Sequence, residues 1–491
     1  MRHPVLLPLF LLGSSLLLSA KLAAFEMDKV QVPLSHPANG SLMVLAEQQQ
    51  LVVSGFSQFD RWLTTVNLTD FTSRALPIPT TSQFFDQATL ANFTAPQLIL
   101  LGTDGIYHYA NLQAGEDASL RLLVATPSLF RVVDGVRLRQ RNLGVNLGSG
   151  LTDFLIPDFE HVHLYRQQAD GQFQHYPLPV PARIQTWNNN RADYSGRRHY
   201  VLDVNQDGLV DLVFLQQGGF AVFLQAEDGS FSTTPVYPDW PVALSTEQEA
   251  DQRSDAGRNY SGQQIRSVEA ITDLDGDGLV DIVVNVELIA DALERSSRFD
   301  IYFGQQAATG LTFSSTPETQ IVLDSVPTEV VIADFNGDGR QDFYIPTTKI
   351  GVSTIVRVLL RGSANLDVDF YLLSAQRRYA AKPDFRQQAK IDVSISNLRF
   401  DMPLFELIDL QGTGKKSLVL GESGKELRFY GPESTKLFNR TSERVTLSLP
   451  RDASRVKVFD LNTDGKEDLV LPFDSLDTEG QRNQLILLYS R

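Results

Sequence analysis

The 491-residue chain contains no cysteine. This absence excludes disulfide bonds, thiol catalysis, iron–sulfur clusters and cysteine-ligated zinc. A bound metal would therefore have to use oxygen or imidazole ligands.

Basic charge is scarce as well. The sequence has 43 Lys and Arg against 59 Asp and Glu, a formal net charge of -16 at pH 7. So acidic a protein is repelled by nucleic acid and by anionic membrane surfaces, and neither is an expected partner. With 42% hydrophobic and 21% charged residues, the chain has the composition of a globular protein and is long enough to bury a large core.

Long apolar runs are missing except at the start of the chain. Residues 5–20 are uncharged, follow the basic Arg2 and precede the small residues Ala23 and Ala24. A membrane-spanning helix needs roughly 20 apolar residues, so this shorter run is more typical of a secretory signal peptide. We expect residues 1–24 to be cleaved. The mature protein would be exported, to the periplasm, the cell surface or the extracellular space, without a transmembrane segment.

The sequence is rich in one repeated phrase, D-x-[DN]-x-D-G-x-x-D. Intact copies occupy residues 203–211, 273–281, 334–342 and 460–468. Each copy leads directly into a short apolar strand, and a second β-rich run follows, which we place at residues 355–360 for the third copy. The repeating unit is therefore a loop, a strand, a turn and a strand.

Weaker copies extend the repeat over the rest of the chain. Residues 409–417 and 150–153 keep part of the loop, and strand pairs near residues 97–109 and 41–53 keep none of it. Units of this size with several short strands predict an all-β fold, a β-propeller of four-stranded antiparallel blades. The count favours eight blades, with seven as the alternative, in a single domain over residues 25–491. Because the last unit ends after its third strand, we expect residues 25–34 to supply the strand that closes the ring.

The phrase also predicts calcium binding. Oxygen side chains at positions 1, 3, 5 and 9, with a backbone carbonyl at position 7, form the cage of hard ligands that calcium prefers, and Gly at position 6 allows the sharp turn. A single copy would equally be an Asp/Asn/Gly-rich turn, but four copies in register favour about four calcium ions with a stabilising role. The predicted ligands are Asp203, Asn205, Asp207, Leu209, Asp211, Asp273, Asp275, Asp277, Leu279, Asp281, Asp334, Asn336, Asp338, Arg340, Asp342, Asp460, Asn462, Asp464, Lys466 and Asp468.

These residues resemble the FG-GAP or VCBS-type repeats of the β-propeller at the N-terminus of integrin α chains and of many exported bacterial proteins. The resemblance covers residues 28–491. It implies that each intact loop joins the first two strands of a blade and binds calcium. The copies near residues 97, 150 and 409 lack most of the ligands, and no calcium is assigned to them. Integrin-type propellers have seven blades, so the eight units counted here depart from that pattern.

Insertions at residues 177–199, 240–265, 287–298, 374–401 and 474–483 are expected on the face of the ring opposite the calcium loops. The first of them is rich in aromatic, amide and guanidinium groups. Such groups suit a sugar or an acidic peptide, although an ordinary solvated loop could have the same composition. The candidate ligand-binding residues are Trp187, Arg191, Tyr194, Arg198, His199 and Tyr200.

The functional prediction is a binding module, adhesion-like, for a protein or a glycan. No linear catalytic motif is present, so an enzyme is the less favoured interpretation. The alternative is a carbohydrate-active enzyme such as a polysaccharide lyase, which would require a deep basic pocket holding Arg198 and His199 together. A purely structural role is a third interpretation. His161 and His163, two residues apart with Asp158 and Glu160 nearby, could bind zinc or simply pack. The sequence does not predict an oligomeric state.

Overall fold

The computed structural model describes residues 27–131, 135–186, 192–247, 249, 262–290, 295–308, 310–347, 363–394, 399–401, 403–422, 424–433 and 436–491. The segment predicted to be a signal peptide, the candidate ligand residues Trp187 and Arg191, and the strand predicted at residues 355–360 lie outside these ranges. Within them, no helix has the length and apolar character needed to cross a membrane.

The first half of the described chain forms four small antiparallel sheets, which we call blades I to IV. Blade I contains β2 (Leu42–Leu45), β3 (Gln50–Phe56), β4 (Arg61–Asn67) and β5 (Ser73–Leu76). Blade II contains β6 (Ser82–Ala88), β7 (Gln97–Gly102), β8 (Gly105–Tyr109) and β9 (Leu120–Ala125), with β10 (Arg139–Gln140) added in parallel beside β6. Blade III contains β11 (Gly144–Val145), β12 (Asp153–Pro157), β13 (Val162–Gln167) and β14 (Phe173–Leu178). A hairpin of β15 (Arg183–Thr186) and β16 (Ala192–Ser195) precedes blade IV, which contains β17 (His199–Leu202), β18 (Asp211–Gln216) and β19 (Gly219–Phe223).

The second half forms blades V to VIII. Blade V contains β20 (Gln263–Thr272), β21 (Asp281–Ile289), β22 (Arg295–Tyr302) and β25 (Thr319–Leu323), with a separate hairpin of β23 (Gln305–Ala307) and β24 (Gly310–Thr312). Blade VI contains β26 (Val331–Ala333), β27 (Asp342–Thr347), β28 (Ser363–Tyr371), β29 (Phe385–Ser394) and β30 (Arg399–Asp401). Blade VII contains β31 (Phe405–Ile408), β32 (Ser417–Glu422), β33 (Glu426–Tyr430) and β34 (Glu443–Thr446). Blade VIII contains β35 (Lys457–Phe459), β36 (Asp468–Phe473), β37 (Gln484–Ser490) and β1 (Met27–Pro33). Short 3-10 turns occur at Ala46–Gln48, Leu112–Asp117 and Ala453–Arg455.

The two ends of the described chain meet in blade VIII. Strand β1 runs antiparallel to β37, from Met27 opposite Ser490 to Pro33 opposite Gln484. The prediction that an N-terminal strand completes the last blade is therefore confirmed. This pairing also covers the edge of β37, which would otherwise offer unpaired backbone groups to another chain.

Hydrophobic clusters between neighbouring blades hold the ring together. Each of the eight clusters in the described residues combines side chains from two consecutive blades. One of them joins Val32 and Leu485 of blade VIII to Leu51 of blade I and so closes the circle. Eight blades, rather than seven, are thus confirmed for an all-β propeller.

The central strands of the blades are mostly apolar and buried because both of their faces are covered by neighbouring blades. All six residues of β36 are buried. Strand β25, the last of its blade, instead alternates between buried and exposed side chains, as expected of a strand with one solvent-facing side. These two patterns explain why the sequence shows short apolar runs after each loop and weaker alternation elsewhere.

Three details of the predicted repeat were wrong or incomplete. The first weak copy was out of phase by one strand, because the strand at Leu42–Leu45 is the first of blade I rather than the second. In blade VI, the third strand is β28 at Ser363–Tyr371, which pairs with β27, whereas the run predicted at residues 355–360 lies outside the described residues. Blade IV has three described strands, and an isolated bridge between Val222 and Val236 takes the place of its fourth strand.

Consecutive antiparallel strands place the connections on two faces. The loop face carries the first-to-second and third-to-fourth connections, and the opposite face carries the second-to-third and blade-to-blade connections. Insertion 474–483 and the described parts of 177–199 and 240–265 lie on the opposite face as predicted. Residues 287–298 do span a second-to-third connection as predicted, but most of them form β21 and β22 rather than an insertion. The prediction was wrong for 374–401, which starts on the loop face and continues as β29 and β30.

Candidate functional site

The four intact loops lie side by side on the loop face. Each is the first-to-second connection of its blade, in blades IV, V, VI and VIII. Backbone hydrogen bonds link consecutive loops: Gln341 donates to Leu274 O at 2.7 Å, and Lys416 donates to Phe335 O at 3.2 Å. The degenerate loop of blade VII, residues 409–417, thus takes its place in the same belt.

The first aspartate and the glycine of each phrase fix the turn. The glycine N–H donates to the carboxylate of the first aspartate, and the glycine has a positive φ that other residues resist. The bonds are Gly208 to Asp203 (2.8 Å), Gly278 to Asp273 (2.9 Å), Gly339 to Asp334 (2.7 Å) and Gly465 to Asp460 (3.0 Å), with φ between 83° and 88°. Gly414 donates to Asp409 in the same way in the degenerate loop. Positions 1 and 6 therefore shape the turn whether or not the other ligands are present.

The aspartate at position 9 is fully buried and joins three strands. In each intact loop one carboxylate oxygen accepts the N–H of position 2, and the other accepts an N–H at or just after the end of the third strand. The bonds are Val204 and Gln225 to Asp211, Leu274 and Gly304 to Asp281, Phe335 and Leu373 to Asp342, and Leu461 and Ser490 to Asp468, all between 2.8 and 3.3 Å. The repeat pattern predicts this residue only as a metal ligand and does not indicate its structural function. Blade III keeps it as Asp153, which accepts the Gln167 N–H at 2.7 Å although its loop has lost the other ligands.

Burial disfavours the charged form of these carboxylates. It raises the pKa of Asp211 and Asp468 to about 6 and that of Asp281 and Asp342 to about 7, partly offset by the backbone hydrogen bonds that they accept. A bound cation would favour the charged form.

The residues of the loop in blade V fit a hard cation. Ligand atoms of Asp273, Asp275 and Asp281 lie within 4.8 Å of one another, and no other His, Asp or Glu group of this kind occurs in the described part of the chain. In the other three intact loops, the amide of Asn205, Asn336 or Asn462 donates to the position 5 aspartate at 2.9–3.2 Å. The carboxylate at position 5 accepts the N–H of position 7, at Leu209, Leu279, Arg340 and Lys466. Oxygen-bearing side chains thus occupy positions 1, 3, 5 and 9 in all four loops, but among the described residues three carboxylates lie within 4.8 Å of one another in blade V alone. Calcium would supply a positive charge there that draws these oxygens together.

The candidate ligand residues of the opposite face do not form one group. Arg198 donates to Val268 O at 2.7 Å and stacks on Tyr200, so it fastens blade IV to blade V. His199 and Tyr200 are neighbours on β17 and therefore face opposite sides of the sheet. Burial lowers the pKa of His199 and raises that of Tyr200 to about 12. Tyr194 alone among the described candidates combines an aromatic ring with free access, being 46% exposed.

Tyr194 belongs to a cluster of exposed apolar side chains that the sequence did not reveal. Its ring meets the ring of Phe159 edge-on, with centroids 5.0 Å apart, and it lies opposite Ile184 in the hairpin of β15 and β16. Phe159 is 41% and Ile184 is 55% exposed. The Arg131 guanidinium lies over the Phe159 ring at 5.3 Å and pairs with Asp158 at 2.8 Å. We call Arg131, Phe159, Ile184 and Tyr194 the aromatic cluster. All four come from connections on the opposite face.

A cavity of 320 Å³ opens between blades IV and V on the opposite face. Arg183, Arg197, Arg198 and Arg266 line it, but His199 does not. Arg197 forms an ion pair with Glu247, and Arg266 lies 3.5 Å from Asp300. The lyase interpretation required Arg198 and His199 in one basic pocket, and that requirement is not met.

The histidine pair at residues 161 and 163 does not form a metal site. His163 is buried, and its Nδ1 lies 2.9 Å from Nε2 of His175, so the two rings share a hydrogen bond. Burial lowers the pKa of both. The packing interpretation of His163 therefore fits the structure better than zinc ligation.

Comparison with known proteins agrees with this architecture. The described residues define an eight-bladed β-propeller, and four of its blades carry the D-x-[DN]-x-D-G-x-x-D loop between their first two strands. Residues 270–345, which include the loops of blades V and VI, match the family model described as FG-GAP-like repeat. The protein is thus a β-propeller that contains FG-GAP-like repeats. No curated protein sequence is significantly similar to it.

Several solved structures are similar to this chain at low identity. An Agrocybe aegerita lectin that recognises non-reducing terminal N-acetylglucosamine is 14% identical, with a TM-score of 0.44 over 94% of this chain and 98% of the lectin. The Dos1 propeller is 9% identical, with a TM-score of 0.34 over 94% of this chain and 95% of the other. The rhamnogalacturonan lyase YesW is 13% identical, with a TM-score of 0.27 over 68% of this chain and 59% of the lyase.

Proposed function

We propose that this protein is an exported β-propeller that calcium stabilises and that binds a glycan through the face opposite its calcium loops. The observation that carries the proposal is that the two faces of the ring carry different kinds of residue. Oxygen ligands are concentrated in the belt of loops, whereas the exposed aromatic cluster lies on the opposite face.

Calcium fits the loops for electrostatic reasons. Every intact loop has at least three aspartates within nine residues, of which the one at position 9 is buried, and in blade V three carboxylates lie within 4.8 Å of one another. Such a group gains from a divalent cation, and oxygen ligands at this spacing suit calcium. Extracellular calcium modules bind at about 10⁻⁴ to 10⁻³ M, which suits an exported protein.

The aromatic cluster favours a glycan over a protein among the two partner classes. Its exposed rings are few and are bordered by the Arg131–Asp158 ion pair. A sugar ring offers apolar C–H faces edged by hydroxyl groups, so it matches the π faces and the charged border together. A protein partner would be expected to cover a much larger apolar area.

Calcium should raise the thermal stability of the protein. At about 1 mM calcium and a dissociation constant of about 0.1 mM, each site adds roughly 1.4 kcal/mol to the free energy of unfolding. Thermal unfolding in EDTA and in calcium measures the effect. Asp207→Ala should reduce the stabilisation by calcium by the contribution of one loop. Thr413→Ala, at the equivalent position of the degenerate loop, is the matched control and should leave the calcium response unchanged. Equal midpoints with and without calcium would refute calcium binding.

Loss of the aromatic cluster should abolish glycan binding without unfolding the protein. We expect Phe159→Ala and Tyr194→Ala each to weaken binding to an array of defined glycans by about tenfold or more, since an exposed ring at the centre of a site contributes at least about 1–2 kcal/mol. Tyr237, which is 66% exposed outside the cluster, provides the control variant Tyr237→Ala. Wild-type protein that binds no glycan but captures a purified protein through these rings would show that the partner is a protein.

A further inference from the structure

The loop of blade V differs from the other three intact loops at one position. It has an aspartate, Asp275, at position 3, where the others have Asn205, Asn336 and Asn462. The loop therefore carries one more negative charge than its neighbours. The side chain of Asp275 is only 6% exposed, so this charge is largely shielded from water.

An arginine from the next blade reaches this extra carboxylate. Arg377 lies in the third-to-fourth connection of blade VI, on the loop face, and its Nε contacts Oδ2 of Asp275. Its Nη2 lies 3.4 Å from Oδ2 of Asp277, and its guanidinium lies over the ring of Phe303 at 4.3 Å. The cation thus sits among the aspartates of another blade's loop.

The turn that contains Arg377 is held in place by its own hydrogen bonds. Arg377 has a φ of 59°, in the left-handed region that a long side chain seldom adopts. Its N–H donates to Ser374 O at 2.9 Å, and Ser374 donates its own N–H to Arg378 O at 3.1 Å. The adjacent Tyr379 is buried and donates its hydroxyl to Gln341 O at 2.8 Å. The turn is therefore fixed independently of the ion pair.

The ion pair between neighbouring blades occurs at the loop that carries the additional aspartate, Asp275. Among the described residues, no cation from a neighbouring blade contacts the aspartates of the other three intact loops. In blade VI, Arg340 contacts Asp338 of its own loop. The arginine from the next blade and the extra carboxylate are thus found together.

We infer that Arg377 is a resident cation that competes with calcium for the loop of blade V, so that this loop binds calcium more weakly than its neighbours do. The inference rests on the proposed calcium binding. A calcium ion held by Asp275 would share this carboxylate with the guanidinium of Arg377, and two cations at one carboxylate repel each other. Occupation of the loop by calcium therefore displaces Arg377 and breaks an ionic contact between blades V and VI. Calcium at this one site is coupled to the blade interface.

Calorimetric titration with calcium chloride tests the competition. The background is Asp207→Asn/Asp338→Asn/Asp464→Asn, which leaves blade V with the intact loop. In this background Arg377→Gln should tighten calcium binding by about tenfold, because the competing charge is gone. The same substitution should lower the unfolding midpoint in EDTA, since the aspartates then lack a counter-charge. Arg378→Gln is the matched control: it removes the same charge one residue away, from a side chain that donates to Glu318 O.

A second variant keeps the test decisive. Asp275→Asn gives blade V the same pattern as the other loops, and in that variant Arg377→Gln should no longer alter calcium affinity. Unchanged or weaker calcium binding by Arg377→Gln, in protein whose wild-type loops bind calcium, would overturn the competition and leave the proposed function intact. Wild-type protein that binds no calcium at all would overturn both.

Discussion

Replacing Asp468 by alanine is expected to lower the free energy of unfolding by roughly 2–4 kcal/mol in calcium-free buffer, because two buried N–H groups lose their acceptor. Asp468 is fully buried and accepts the Leu461 N–H at 3.0 Å and the Ser490 N–H at 2.8 Å. These bonds join three strands of blade VIII: Leu461 follows β35, Asp468 begins β36 and Ser490 ends β37. Urea unfolding in EDTA measures the loss.

The matched control is Asp464→Ala in the same loop. Asp464 is exposed, and its carboxylate accepts the Lys466 N–H at 2.8 Å. We expect less than about 1 kcal/mol of destabilisation in EDTA, and the main effect should be a reduced gain from calcium. Equal losses for the two variants in EDTA would mean that position 9 has no special structural function and that the loop acts as a single unit.

This difference between two aspartates of one phrase shows what a motif can and cannot reveal. The spacing predicted the turn correctly, because the glycine at position 6 and the carboxylate at position 1 interact within six residues. The same spacing could not show that position 9 accepts an N–H from beyond the third strand. The partner of Asp342, Leu373 N, is 31 residues away. Long-range partners of this kind depend on how the blade folds.

Strand assignments failed for a related reason. The described partner of β27 is β28, which begins at Ser363, later in the chain than the apolar run at residues 355–360 from which the third strand was predicted. Blade I has no loop phrase to mark its phase, so its strands could be shifted by one without any change in their apolar pattern. Where a phrase was present, as before β18, β21 and β36, the following strand was predicted correctly.

The candidate sites also depend on contacts between residues that are far apart in the sequence. Tyr194 was found because its insertion is aromatic, but its neighbour Phe159 comes from a different connection and has no distinguishing sequence context. Arg377 lies 102 positions from Asp275, and the one local hint was the aspartate at position 3 of a single loop. The residues of a site that lies between blades can be recognised only when the arrangement of the blades in the ring is known.

Ring closure depends on β1, and we expect Val32→Asp to cause the largest loss of stability of any single substitution considered. Val32 is fully buried in the cluster that joins blades VIII and I, together with Leu51, Leu485 and Leu487. The variant loses apolar burial and must either bury a charge or release the strand, at an expected cost of about 4 kcal/mol or more.

Released β1 would expose the edge of β37, whose backbone groups would then be free to pair with another chain. Size-exclusion chromatography should therefore detect aggregates of Val32→Asp, and urea unfolding should begin at a lower concentration than in the wild type. Lys29→Asp, an exposed position on the same strand, introduces the same side chain and should change the unfolding free energy by about 0.5 kcal/mol or less. If Val32→Asp were as stable and as monomeric as Lys29→Asp, the N-terminal strand would contribute nothing to closure, and the contacts between blades I and VIII would have to hold the ring without it.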